Sequence, residues 1–257
     1  MPVLPFITNF KMVILKNPSK IWSQTEDAEF RNLFYKIARL KLRGYEAEYP
    51  PGVLPIDTTD FIATHILICD MKPEGASPIT GIKSTTLSQS QTHRLNFPAL
   101  SLVQAAEAQP HIQAMIHLIQ QCQKLNKELA YTGSWTINPE TRKDRVLTKE
   151  VTRMFYAAYV LYHMEYQINE IITGGTMRFK ADHFFRSMGH DIFSYKGQPL
   201  PPIYVKHLFG EQVQLLHLKA FTEEAKRSAE EFREMWSNRL EIDIQSIIKR
   251  HTFKNIA

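Results

Sequence analysis

Cysteine is nearly missing: Cys69 and Cys122 are the only two in 257 residues, and neither belongs to a CxxC pair. That excludes a disulfide framework and a thiolate zinc site. Cys69 falls in an apolar, strand-like run and Cys122 in a helical one, so both read as buried, reduced thiols. Long apolar runs are also missing. Nothing approaches the roughly eighteen residues that a membrane helix needs, so no integral membrane segment is expected. The N-terminal stretch MPVLPFITNFKMVILKN is apolar but carries Asn9 and Lys11. It lacks a basic leading region and a small-residue cleavage site, so it does not read as a secretory signal. These absences point to the cytoplasm. No P-loop and no GxSxG occurs. Ten histidines are present, but His183 and His190 stand seven apart and His111 and His117 six apart. Neither spacing makes a helical metal pair, and no metal is expected. Glycine is sparse, ten against fourteen prolines, which suggests stiff loops.

What is present suits a folded core, with 44% apolar and 11% aromatic residues. Net charge is +5 and the pI is about 9.1, a balance that favours acidic partners. The basic residues are scattered rather than gathered in one tract. Charge alone would fit nucleic acid, with binding that falls steeply with salt, but no nucleic-acid partner is expected.

The most informative stretch is Ile168–Phe193. A short apolar run ends at Gly174-Gly175, Thr176 can cap a helix, and Met177, Ala181, Phe184, Phe185 and Met188 then fall on one helical face. Gly189 stands where a C-terminal cap belongs, and Asp191–Phe193 resumes a strand. Before it, Leu147, Val151, Met154, Phe155, Ala158 and Tyr162 mark another helix, preceded by a strand at Leu129–Ile137. Strand, helix, strand, helix, strand over 129–193 predicts a sheet covered by helices, in an α/β or α+β layered domain.

Earlier in the chain, Phe10–Leu15 reads as a strand and Ser23-Gln-Thr-Glu26 as a capping box. The following helix carries Phe30, Leu33, Phe34, Ile37 and Leu40 on one face and stops at Gly44; Lys36, Arg39, Lys41 and Arg43 crowd its end, where the dipole favours cations. Residues 62–86 read as an antiparallel hairpin with a long tip. Leu87–Ala99 is polar and reads as a loop, Pro110–Leu129 as a helix, and Glu211–Ala220 as a late strand. From Thr222, Ala225, Ala229, Phe232, Trp236 and Leu240 predict one long helix, followed by a helical piece through Ile244, Ile247 and Ile248. The division expected is one domain over 1–221 with a C-terminal helical extension over 222–257, packed on that domain or on a partner chain.

This order of elements resembles the GNAT superfamily of acyl-CoA-dependent N-acyltransferases, and within it the branch of acyl-homoserine-lactone synthases and long-chain N-acyl amino acid synthases. Arg39 matches the arginine of that branch's first motif. Asp57-Thr-Thr-Asp60-Phe-Ile-Ala63 matches its Asp-x-x-Asp lead into a strand, and Thr80-Gly-Ile-Lys-Ser84 its return strand, with Lys83 in place of arginine. Trp135-Thr-Ile-Asn-Pro139 followed by Arg142 is similar to the end of the fourth strand. Gly175-x-x-Arg178 and Phe185-x-x-x-Gly189 are similar to the fifth strand and the helix after it. The resemblance spans residues 10–195. It implies a central mixed, mostly antiparallel twisted sheet flanked by helices, and transfer of an acyl group from acyl-CoA or acyl carrier protein to a small amine such as an amino acid. Two departures stand out. The Q/R-x-x-G-x-G/A phosphate loop is replaced by Arg142-Lys-Asp-Arg-Val-Leu147, without glycine, and the fourth-strand glutamate falls near Tyr131 or Thr132. A carrier protein, itself acidic, would suit the basic surface. A fold that has lost catalysis and only binds a lipid, an acyl-thioester or an acidic partner is the alternative.

N-acylation needs an amine deprotonated beside a thioester carbonyl and donors for the developing oxyanion. Asp57 and Asp60 are the candidates to bind or deprotonate the amine; otherwise Asp57 caps a turn and Asp60 starts a strand. Arg39 and Lys83 are the candidates to hold the substrate or to fix Asp60. Thr136, Ile137, Arg142, Lys143, Arg145, Val146 and Leu147 are the candidates for the donor's phosphate or pantetheine. Cations just before a helix N-terminus oppose the dipole, which suggests a bound anion there.

Overall fold

The computed structural model describes residues 9–254. The apolar segment before residue 9 lies outside the described residues. The chain begins with β1 (Phe10–Lys16), then α1 (Pro18–Gln24), α2 (Ala28–Glu46), β2 (Thr64–Lys72), β3 (Gly75–Thr86), α3 (Leu87–Thr92), α4 (Pro98–Ala105) and α5 (Gln109–Lys124). Next come β4 (Glu128–Ile137), α6 (Pro139–Arg142), α7 (Arg145–Glu165), β5 (Ile168–Thr176), α8 (Ala181–Ser187) and the short strands β6 (Asp191–Ile192), β7 (Ser194–Tyr195), β8 (Gln198–Pro199) and β9 (Ile203–Val205). The chain closes with β10 (Glu211–Leu218), α9 (Glu223–Glu230), α10 (Arg233–Ser237), β11 (Leu240–Ile242) and α11 (Ile244–Lys254).

One mixed sheet runs in the order β11-β1-β2-β3-β4-β5-β10-β6, with β9 also on β10. The pairs β4–β5 and β1–β11 are parallel and the rest antiparallel. This is the layered, mostly antiparallel fold the sequence predicts. Strand alternation sends successive side chains to opposite faces. On one face Ile14, Ile66, Ile82, Ala130 and Ile171 pack with the apolar stripe of α7, with α9 behind it. On the other, Val13, Leu15 and Leu67 meet α2, while Leu129, Ile172 and Leu215 meet α4 and α5.

Several elements differ from expectation. The helix expected after Ser23–Glu26 is α2, and its cap is Asp27, whose side chain accepts from the Phe30 N–H at 2.7 Å; Ser23 and Gln24 instead end α1, so no Ser23–Glu26 box forms. Helix α2 also does not stop at Gly44. That glycine is buried in the last turn of α2, where a Cβ would lie 2.2 Å from Thr136 Cγ2, so its bare backbone lets α2 press onto β4. The hairpin tip is short, Pro73-Glu74. Residues 87–99 are not a loop: Thr86 and Gln89 form a capping box that starts α3, and Pro98 opens α4. Gly174 and Gly175 do not break the strand; β5 runs on to Thr176, a 3-10 turn follows over Met177–Phe179, and α8 begins at Ala181. Gly175 is there for contact, since a Cβ would lie 2.6 Å from the Asp182 backbone. The long terminal helix is broken into α9 and α10, and Leu240 enters β11, opposite Val13 of β1.

Gly175→Ala tests this packing. The side chain must force α8 away from β5, and overpacking of this kind costs about 1–3 kcal/mol. A thermal scan should show a Tm lower by several degrees; an unchanged or higher Tm would contradict it.

Candidate active site

The strands β4 and β5 run side by side from Glu128↔Ile168 to Thr132↔Thr173 and then part. Beyond that rung β4 continues to Ile137 and β5 to Thr176 with no pairing between them. A bulge bends β4 at this place: Gly81 faces Thr136 and Lys83 faces Gly133, so three steps of β4 oppose two of β3. Ser134, at φ 58°, takes up the extra residue in the left-handed region. The result is a fork whose inner edge offers backbone groups with no partner strand.

Cavities open on both sides of the fork. The larger, about 540 Å³, lies on the α2 and α4 side and is walled by Asp57, Lys83, Leu102, Tyr131, His207 and Val213 among others. The smaller, about 210 Å³, is walled by Ile82, Trp135, Ile137, Arg142, Phe179 and Phe185. Tyr45, Tyr49, Gly133, Ser134, Gly174 and Thr176 line both, so the two meet at the fork. Gly44 has a direct role in this: the close approach of α2 to β4 delivers Tyr45 and Tyr49 to the opening.

Charge is concentrated beneath the larger cavity. Asp60, 2% exposed, pairs with Lys41 through Oδ1 and with Lys83 through Oδ2 at 2.9 Å. Lys83 also reaches Asp57 Oδ2 at 2.9 Å, and the Asp57 N–H donates to Asp60 Oδ2 at 3.0 Å. Burial pushes the Asp60 carboxyl up, but Lys41 and Lys83 outweigh it and hold the group well below the usual carboxylate range. Asp60 therefore stays ionised and enclosed. Its side chain is shut off from solvent, whereas that of Asp57 is 59% exposed, so Asp57 is the carboxylate that faces the cavity. Burial pushes Asp57 up too; Lys83 and the bonds from Thr59 prevail and lower it, which makes it a poor base and a good partner for a cation. His207 is lowered by burial, with Asp57 opposing, and so is neutral near pH 7. Burial pushes the Tyr45 and Tyr131 phenols up, keeping both protonated.

The other sequence candidates fall as follows. Arg39 is exposed on α2 and lines neither cavity. Thr136 is buried under Gly44, and Ile137 lines the smaller cavity. Arg142 lines it as well and pairs with Glu48. Lys143 pairs with Glu140 at 2.7 Å on the surface, and Arg145 is exposed. The N–H groups of Val146 and Leu147 are taken: the Asp144 side chain accepts both, at 2.9 and 3.0 Å. An anion at the start of α7 would have to displace that carboxylate. Among the described residues no group of three or more metal-ligating side chains is found, and no helix is long and apolar enough to cross a membrane.

Tyr45, Tyr49 and His207 are not among the sequence candidates, and the sequence offers Lys41 only as a helix-end cation and Tyr131 only as a position of the missing glutamate. Lys41 had a signal. It lies four residues after Ile37 and seven after Phe34, on the buried stripe, where a lysine demands a partner. His207 had none, because only the β9–β10 pairing brings it to the cavity.

No protein-family model matches the sequence, and no curated protein matches it. Among solved structures the chain is similar to FeeM, an N-acyl amino acid synthase from uncultured soil microbes, at 10% identity and a TM-score of 0.46, over 82% of this chain and 90% of that one. It is similar to BjaI, a CoA-dependent acyl-homoserine lactone synthase solved with SAM and isopentyl-CoA, at 8% identity and a TM-score of 0.48, over 91% and 92% of the two chains. It is also similar to the acyl-homoserine lactone synthase LasI, at 13% identity and a TM-score of 0.48, over 84% and 92%. These proteins fall in the group that the ordered motifs resemble. Likenesses this loose assign no residue a role.

The buried histidines give a pH prediction. Burial lowers His65 to about 4 and His163 and His190 to about 3, so all three fold neutral. Unfolded, each takes a proton below about pH 6.5. The unfolded state then binds more protons than the folded one, and stability falls as pH drops from about 6.5 towards 4, by up to roughly 1.4 kcal/mol per pH unit for each group. The depressed carboxylates weaken the fold only below their unfolded values near 4. Chemical denaturation from pH 7 to 4.5 should show a steadily falling midpoint; a flat one would contradict the assignment of neutral, buried imidazoles.

Proposed function

We propose that this chain is an enzyme, an N-acyltransferase that moves an acyl group, of fatty type, from a thioester to a small amine. The observation that carries the reading is the fork between β4 and β5, with a cavity on each side and no ladder across it. The donor enters from the smaller cavity, whose wall carries the rings of Trp135, Phe179 and Phe185, and the amine from the larger. The amine's ammonium pairs with Asp57, and His207 takes its proton. The freed nitrogen attacks the thioester carbonyl, backbone N–H groups along the fork meet the oxyanion, and the C–S bond breaks as it collapses; the thiolate takes a proton from a phenol such as Tyr45, and the second proton that the nitrogen sheds on becoming an amide restores that phenol. Asp60 does not touch substrate in this scheme; it holds Lys83 and Asp57 in place.

The donor is carried on phosphopantetheine, and the acidic acyl carrier protein suits the start of α7 better than CoA. The phosphate loop has no glycine there, and Asp144 already satisfies the N–H groups that would greet a diphosphate. The two departures from the motif set also favour a second reading, a catalytically inactive module that binds the thioester.

Thiol release should be followed with acyl-CoA and acyl-carrier-protein donors and mixed amino acids as acceptors. Release with long-chain donors is expected, faster from the carrier protein. Asp57→Asn should lower kcat/KM for the amine by about tenfold to a hundredfold while the chain stays folded, on the scale of a lost charge-assisted contact. Asp60→Asn should instead cost about 3–5 kcal/mol of stability, because it leaves buried lysines without their counter-ion. Thermal stabilisation by donors without thiol release would move the conclusion to the binding module. Neither signal would sink both readings.

A further inference from the structure

We infer that Thr173, Thr132, Tyr159 and His190 are positioning residues that fix the point at which β4 and β5 stop pairing. The last rung of the parallel pair is Thr132↔Thr173, and its side chains do more than fill space. The Thr173 hydroxyl donates to the Thr132 carbonyl at 3.0 Å, a cross-strand bond at the apex of the fork. Thr132 Oγ1 lies 3.2 Å from the Tyr159 hydroxyl on α7, and that hydroxyl lies 3.3 Å from His190 Nε2. His190 Nδ1 lies 3.0 Å from the Phe185 carbonyl. All four side chains are buried, at 0% or 1% exposure.

The direction of this chain follows from its far end. A carbonyl only accepts, so His190 Nδ1 carries the proton that reaches Phe185. The ring is neutral, so Nε2 is bare and must accept. The Tyr159 hydroxyl therefore donates to His190, and its oxygen is left to accept from Thr132. Every donor in the chain has one available acceptor. The ordering matters because it ties three elements: the fork's apex on β4, the middle of α7, and the carbonyl of Phe185 on α8, whose ring walls the smaller cavity. If the apex slid one rung, Gly133 and Gly174 would pair and the fork's inner edge would lose its open backbone groups. If it retreated, those groups would separate. A buried hydroxyl left without its partner is costly enough to bias the zipping by about fivefold or more.

The test uses the full chain and the variants Thr173→Val, Thr173→Ser and Tyr159→Phe. Valine keeps the shape of threonine and removes the donor; serine keeps the donor. The first readout is hydrogen exchange in peptides covering 129–137 and 168–176. Exchange should be about fivefold or more faster there in Thr173→Val and Tyr159→Phe, with Thr173→Ser close to wild type and peptides from β1 and β2 unchanged. The second readout rests on the acyl-transfer reading: kcat should fall about tenfold with KM for amine and donor nearly constant, and Thr173→Ser should restore it. Unchanged exchange at the fork, a serine variant as defective as valine, or faster exchange spread evenly over the sheet would each overturn the inference. A wild-type chain that turns over no thioester would sink the acyl-transfer reading, and the exchange result would still decide whether these residues set the fork.

Discussion

Two parallel strands that stop pairing part-way create the space in which this protein can act. The interior of a sheet normally leaves no backbone group unmatched. Here β4 and β5 share a ladder only as far as Thr132 and Thr173. The bulge at Ser134 bends β4 away, and β10 follows β5 on the other side. Every other feature of the site is placed relative to that opening. The packing of α2 at Gly44 brings the tyrosines to it, the packing of α8 at Gly175 closes its far wall, and the β9–β10 pairing brings His207 to the larger cavity.

The buried charges form the second constraint. Two lysines and two aspartates crowd under the larger cavity, three of the four nearly free of solvent. Each lysine has a carboxylate partner, and Asp60 serves both. An arrangement of this kind is a weak source of net stability but a strict specifier of geometry, because any one missing member leaves a buried charge alone. Its effect is to hold a single carboxylate, Asp57, at the cavity wall. A carboxylate held ionised there suits a cationic ligand, and in the proposed reaction proton removal falls to the neutral His207 instead.

Much of the architecture was legible in the sequence because it rests on local periodicity. Strand β4, helix α7 and strand β10 have the alternation and helical stripes that their burial requires. The misreadings share a cause. Gly174-Gly175 has the local signature of a break and Gly44 that of a stop, but both places use glycine for close approach between elements, which local sequence does not reveal. Thr86-Leu-Ser-Gln89 carried a capping signal that its polar setting masked. Leu240 keeps helical spacing with Trp236, yet it belongs to a strand because β1 offers it a partner more than two hundred residues away. At the site, Asp57, Asp60 and Lys83 were found from their order in the chain and do come together. Arg39 does not join them; Lys41, two residues on, takes that position.

The most direct measurement is a crystal structure with a non-hydrolysable thioether analogue of an acyl-phosphopantetheine donor. The account places the sulfur inside the fork, between Gly133–Trp135 of β4 and Gly174–Thr176 of β5, with the acyl carbonyl turned towards the backbone N–H groups of the opening and Asp57 facing it across the larger cavity. An analogue seated elsewhere on the chain, with the fork left empty, would contradict it.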